Sequence, residues 1–275
     1  MSDPVPAITE AAATGETAAI FADIRQVLGV DVVNLIWRHL ATMDGALPWA
    51  WQALRALYAD GSVIGQATAL RRDLALPPMP PIQAEVYPAL GLRPEDMAAI
   101  RGVLSAYHHT NGMAVVALTA LRGQLDGRVP ANVKPAEPTP LAAAPRIGLP
   151  KLLDLTAMPP ETATLVAALN GFGTRRPGAV LASMYRHLAH WPSYLAFAWL
   201  LLAPMDGDGQ FAAAIDQAQR AVQSRADGLL VGLIDQAGPP PSALAAWISA
   251  AVEPFVGGVI VKMLVICAFL RRVTA

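Results

Sequence analysis

The chain of 275 residues contains one cysteine, Cys267. A lone thiol excludes an internal disulfide framework, a CxxC redox pair and a thiolate metal cage within one chain. It lies in an apolar run and reads as a buried structural thiol. Charge is scarce as well. Asp, Glu, Lys and Arg together make up 15% of the residues, and the net charge is −1. No basic block interleaves with aromatics, which argues against nucleic acid and against a membrane surface as partners. Alternating apolar–polar runs with hairpin turn chemistry are missing, so no sheet is expected. GxGxxG after a strand, P-loop, GxSxG and HExxH patterns are missing too, and no cofactor is expected. The N-terminal stretch has neither a basic region nor an apolar core, so it is not a secretory signal; a cytoplasmic protein is the expectation.

What is abundant is apolar surface: 54% of residues are hydrophobic. With so few charges, tight packing is implied, and a homodimer is compatible with it. The longest apolar run, Phe255 to Leu270, is interrupted by Lys262 and is short for a bilayer span, so it reads as a buried helix.

The same pattern occurs twice. Arg38-His39-Leu40-Ala41 returns as Arg186-His187-Leu188-Ala189, an offset of 186 − 38 = 148. Without gaps, that offset also pairs Leu47 with Leu195, Trp51 with Trp199, Leu54 with Leu202, and Asp60-Gly61 with Asp208-Gly209. The period is too long for a solenoid and reads as two fused copies of one unit. Helical spacing recurs through both copies. The expected fold is all-α, with two pseudo-symmetric helical repeats at 17–126 and 161–275. A disordered tail at 1–16 and a Pro/Ala-rich linker at 127–160 complete the chain. Within the first repeat, His108-His109-Thr110-Asn111-Gly112 interrupts the pattern, which predicts a helix ending near Tyr107 and another starting at Met113. Pro239-Pro240-Pro241 predicts an extended connector in the second repeat.

A duplication offers an internal control. Residues kept in both copies, such as the Arg-His pairs, read as scaffold. Polar residues found in one copy only are freer to serve a site. Asn111 is such a residue: the matching stretch reads Val-Gly-Gly-Val-Ile. It is either a helix N-cap or an amide that orients water or substrate. His187 and His190 share a helix face, but no carboxylate accompanies them at ligand spacing, so no metal is expected. Lys262 is either a base of depressed pKa or a stem lying along an apolar interface.

The paired WRHLA/YRHLA helices, the Trp191-Pro192 turn with Trp199 eight residues on, and the run from Thr110-Asn111 to Ala117-Leu118-Thr119-Ala120-Leu121-Arg122 together resemble the group I (DehI-type) 2-haloacid dehalogenases. The resemblance spans both repeats. It implies an all-α fold with one site between the repeats. It also implies hydrolysis by direct displacement, in which an Asp activates a water, an Asn helps hold it, and the water attacks the halogen-bearing carbon. By the same resemblance Asn111 is the catalytic amide, while Trp37, Leu40, Ser183 and Met184 contact a substrate such as a short organic acid. The family's Ala-Ser-Asp falls on Ala182-Ser183-Met184. A thioether cannot accept a proton near neutral pH, and no acid lies between Glu161 and Asp206; Asp31 is the substitute candidate. The alternative is a small-molecule binding protein, or an enzyme of another reaction type, using the same apolar pocket. An AhpD-like peroxidase, whose helices look similar, needs a CxxC that this chain lacks.

Overall fold

The computed structural model describes residues 5–79, 81–130, 133–139, 148–173, 180–236 and 242–275. The proline connector at 239–241 and residues 140–147 of the expected linker lie outside them. The described residues form helices joined by turns and extended segments, with no strand among them. In the first half these are α1 (Gly15–Leu28), α2 (Leu35–Leu40), α3 (Ala46–Ala59), α4 (Ser62–Arg72), the single turn α5 (Val86–Ala89) and α6 (Pro94–Leu125). The second half carries α7 (Pro160–Gly171), α8 (Ser183–Leu188), α9 (Pro192–Gly207), α10 (Gln210–Gln236), α11 (Ser242–Pro254) and α12 (Ile260–Val273). A π turn, Phe255–Val259, fuses α11 to α12.

Helix boundaries recur at the sequence offset. Leu35 + 148 = 183 begins α8, Ser62 + 148 = 210 begins α10, and Pro94 + 148 = 242 begins α11. The π turn then adds one residue. Before it, buried Ile100, Val103 and Leu104 pair with Ile248, Ala251 and Val252 at 148; after it, the continuously buried stretch 110–121 pairs with 259–270 at 149. A π turn closes i→i+5 bonds and so absorbs a single inserted residue without breaking the rod.

α6 differs from expectation: it runs unbroken through 108–112. Burial of every residue from 110 to 121 overrides the modest helix propensity of His, Thr, Asn and Gly. Thr110 turns its hydroxyl back to the Ala106 carbonyl at 3.0 Å. Gly112 is not a stop. A Cβ there would sit 2.9 Å from the Arg71 guanidinium, which donates to the His109 carbonyl. At its start α6 has Pro94, Glu95 and Asp96 in the first turn, and Asp96 accepts the Arg93 N–H. The same carboxylate accepts Trp191 Nε1–H from the second half at 3.0 Å.

α6 packs against α10, α12 and α4, and α10 also reaches α3 and α4. The halves therefore share one core. The apolar rod Ser242–Val273 is long and apolar enough to cross a membrane by length and composition, yet most of its apolar stretch is buried inside this core. Cys267 is fully buried and directs its thiol at the Leu104 carbonyl; burial pushes its pKa up to about 12. Lys262 is buried too, donating to the Asn170 carbonyl at 2.6 Å, with desolvation lowering it to about 8.

Residues 5–13, expected as tail, are tied down. Ile8 N–H donates to the Arg38 carbonyl, His39 Nδ1 pairs with the Pro6 carbonyl, and the Glu10 carboxylate accepts Val33 N–H. The linker is docked as well: Ala136 N–H donates to the Gly228 carbonyl of α10.

Gly61 and Gly209 are repeat counterparts (61 + 148 = 209), with φ of +84° and +80°. A Cβ at Gly61 would lie 1.8 Å from the Thr139 carbonyl oxygen of the linker, whereas at Gly209 it would meet nothing within 4 Å. Gly209→Ala is expected to cost the left-handed strain alone, about 1–2 kcal/mol. Gly61→Ala should cost more and speed hydrogen exchange at the Ala136 amide. Equal losses in urea unfolding would show that linker packing adds nothing.

Candidate functional site

Between the halves lies a cavity of about 860 Å³. Its walls come from the N-terminal segment, the loop before α2, the middle of α6, the segment 149–154, the start of α8, and the π turn with the first turn of α12. Asn111, Ser183 and Met184 all line it. Trp37 and Leu40, expected beside them, do not. They are fully buried on the other stripe of α2, where Trp37 packs edge-on against Trp51 with ring centroids 5.5 Å apart. The stripe of α2 that faces the cavity carries Leu35 and Arg38 instead.

Asn111 sits in mid-helix, not at a helix start, so it is not an N-cap. It is 6% exposed, and no other described residue hydrogen-bonds its side-chain amide. Four residues earlier on α6, hence on the same face, stands Tyr107. Facing them on α8 is a second i,i+4 pair, Ser183 and His187. The Tyr107 hydroxyl lies 3.0 Å from His187 Nδ1, and Ser183 lines the same cavity. Burial lowers His187 to about 4, helped by His190, Arg186 and Arg38, and burial raises the Tyr107 phenol. Near neutral pH the ring is therefore uncharged and the phenol protonated. The phenol and Nδ1 form one hydrogen bond, whose donor is set by the imidazole tautomer.

The other half supplies the control. At the offset of 148, His187 matches His39 and Tyr107 matches Phe255. His39 and Phe255 stack with centroids 6.0 Å apart, and Tyr107 and His187 meet at a tilt of 52° with centroids 5.7 Å apart. The ring pair is thus common scaffold. Its polar additions fall on one side only: Ser183 replaces Leu35, the Tyr107 hydroxyl has no equivalent on Phe255, and Asn111 faces Ile260 across the repeat. Sequence reading singled out Asn111 and Ser183 but missed Tyr107, because the expected break at 108–112 hid its helical spacing from Asn111; His187 reads in sequence as scaffold.

The charged groups on the wall are mostly engaged. Arg186, 7% exposed, uses Nε for the Leu153 carbonyl and one terminal nitrogen for Asp154, both at 2.7 Å. Arg38 Nε donates to the Val33 carbonyl. Glu10 is paired with Arg25. Asp31 lines the cavity from an exposed position. The histidines disperse: His190 Nε2 meets the Lys151 carbonyl, His108 meets Arg271 and His109 faces the Leu28 carbonyl. Among the described residues no group of three or more His, Cys, Asp or Glu is placed to hold a metal.

The Asn111 amide opens onto the cavity and is not among the sealed, unpartnered side-chain groups, so Asn111→Leu is expected to leave the melting temperature nearly unchanged. A drop in stability would reveal a structural partner for the amide.

No protein family and no curated protein matches the chain in sequence. Solved structures do match. One is described as the complex of a D-2-haloacid dehalogenase mutant with D-2-CPA (TM-score 0.73, 18% identity, covering 98% of this chain and 94% of that one). A second is the crystal structure of a D-2-haloacid dehalogenase mutant (0.75, 17%, 98% and 96%). A third is a D-2-haloacid dehalogenase with L-LA (0.74, 17%, 98% and 96%). Over nearly its whole length, this chain has the all-α fold of the D-2-haloacid dehalogenases.

Proposed function

We propose that the cavity between the halves binds a small organic acid, and that the chain is a diverged relative of the 2-haloacid dehalogenases lacking their carboxylate base. The observation that carries this reading is the pairing across the cavity. Asn111 offers a buried amide from one half, while the other half presents Met184, 1% exposed, where the dehalogenase pattern calls for an Asp. Arg38 and Arg186 add positive charge to a largely apolar wall, which suits a carboxylate with a short apolar tail. The fold is that of the dehalogenases, and the resemblance in sequence puts their amide at Asn111 and a thioether where their proton acceptor stands. The protein is either a binder or an enzyme of another reaction type.

A general base contributes roughly 10²–10⁴-fold. Wild type is therefore expected to release halide from either enantiomer of 2-chloropropionate at a rate near background. Met184→Asp should raise release by about 10² or more. Burial will raise the pKa of the new carboxyl, so the gain should grow as pH rises through that value. The substitution also costs stability, because it places a charge where an apolar side chain packed. Robust release by wild type would defeat this reading. Loss of that release in Asp31→Asn would then assign the base to Asp31, the exposed carboxylate on the wall.

A further inference from the structure

A second, smaller cavity of about 260 Å³ lies where α6, α10 and the π turn meet. Thr119 and Arg122, three apart on one face of α6, line it. Arg128 enters from the turn after α6, Gln219 and Gln223 from successive turns of α10, and Val256 from the π turn. We propose that this cavity binds a small tetrahedral oxyanion, phosphate or sulfate, free or at the end of a small ester.

The observation that carries the proposal is a concentration of unused donors. Four sealed side-chain atoms on this wall have no hydrogen-bond partner: Thr119 Oγ1, Arg122 Nε, Arg128 Nε and Arg128 Nη2. All four can donate, so what the wall lacks is an acceptor. Thr119 is 6% exposed, and sealed donors left unmet are costly. A ligand made of acceptor oxygens answers them.

The neighbouring carboxylates do not fill that role. Asp126 Oδ2 stands 3.5 Å from Arg122 Nε, with its side chain 51% exposed, and Asp126 accepts from Ser249 Oγ. Asp227 accepts from Gln223 Nε2 at 3.2 Å. Its other contact, 2.7 Å to Arg128 Nη2, is an ion pair at an angle too poor for a hydrogen bond. The two arginines are thus balanced in charge but not in hydrogen bonds. Guanidinium N–H groups match the oxygens of phosphate and sulfate. Here the donors converge from a helix and from the turn beyond it, with the α10 amides opposite, which suits a tetrahedral anion better than a planar carboxylate.

The arrangement is held in advance. Arg128 N–H donates to the Gly123 carbonyl at 2.8 Å. Its guanidinium lies over Gly123, where an added Cβ would come within 2.9 Å of Nη2. The repeat again supplies a control. Thr119 matches Ala268 at the offset of 149, and Gln219 and Gln223 match Arg71 and Ala75 at 148. Arg71 spends its guanidinium on the His109 carbonyl and the Thr68 hydroxyl. The polar set of this cavity therefore belongs to one side only.

The test is equilibrium dialysis with radiolabelled sulfate, at an ionic strength held constant with sodium chloride. Wild type is expected to bind a single sulfate per chain, saturably, and excess propionate should not displace it. Inorganic phosphate and glycerol 3-phosphate should both compete, and the tighter of the two tells whether the anion arrives free or as an ester. Arg122→Gln should weaken binding by about 10-fold or more. Thr119→Val keeps the shape of the side chain and removes an unpartnered hydroxyl, so it should weaken binding while the melting temperature holds. Undiminished affinity in both variants overturns the site, and so does displacement by propionate, which would place the sulfate in the larger cavity. Absence of saturable binding by wild type also overturns it, and assigns the donors to ordered water.

Discussion

From Thr110 to Leu121, α6 has no solvent-facing side. A helix apolar all round must be enclosed on every face, and that requirement governs the arrangement of everything else. α4 covers one face from the same half, while α10 and α12 cover others from the opposite half. At the end of this enclosed stretch, where Tyr107 and Asn111 face the cavity, the packing leaves a gap instead of a side chain. The cavity is therefore bounded by the packed helices α6 and α12 on one side and by the N-terminal segment, the loop before α2 and residues 149–154 on the other.

Much of this was legible in the residues. The offset of 148 predicted the recurrence of helix starts, and the all-α reading followed from helical spacing without strand signals. The errors were local, and tertiary packing explains them. His-His-Thr-Asn-Gly looks like a break because its propensities are weak, yet burial outweighs differences of a few tenths of a kcal/mol per residue. Gly112 punctuates nothing; it admits Arg71. Residues 5–13 read as a disordered tail, yet they pair with residues of and just before α2. No periodicity could have shown that.

The site was half legible for the same reason. One-sided polarity marked Asn111, and the dehalogenase-like motif marked Ser183 and Met184. Tyr107 needed an unbroken α6 before its spacing from Asn111 carried meaning. Trp37 and Leu40 were assigned by resemblance to the correct helix, but α2 offers two stripes, and only the packing of Trp37 on Trp51 decides which one turns inward. An aromatic–histidine contact occurs in both halves, and in one of them the Tyr107 hydroxyl adds a hydrogen bond to His187.

The docking of α6 onto α10 and α12 has a consequence for ancestry. Neither half encloses its own central helix, so a chain carrying one copy would have needed a second molecule to bury it, as obligate homodimers do. In such an assembly every wall residue is present twice, and two equivalent walls can only change together. Joining the copies in one chain removes that constraint. In one chain the two walls are free to differ, and here one carries Ser183, Tyr107 and Asn111 where its counterpart carries Leu35, Phe255 and Ile260.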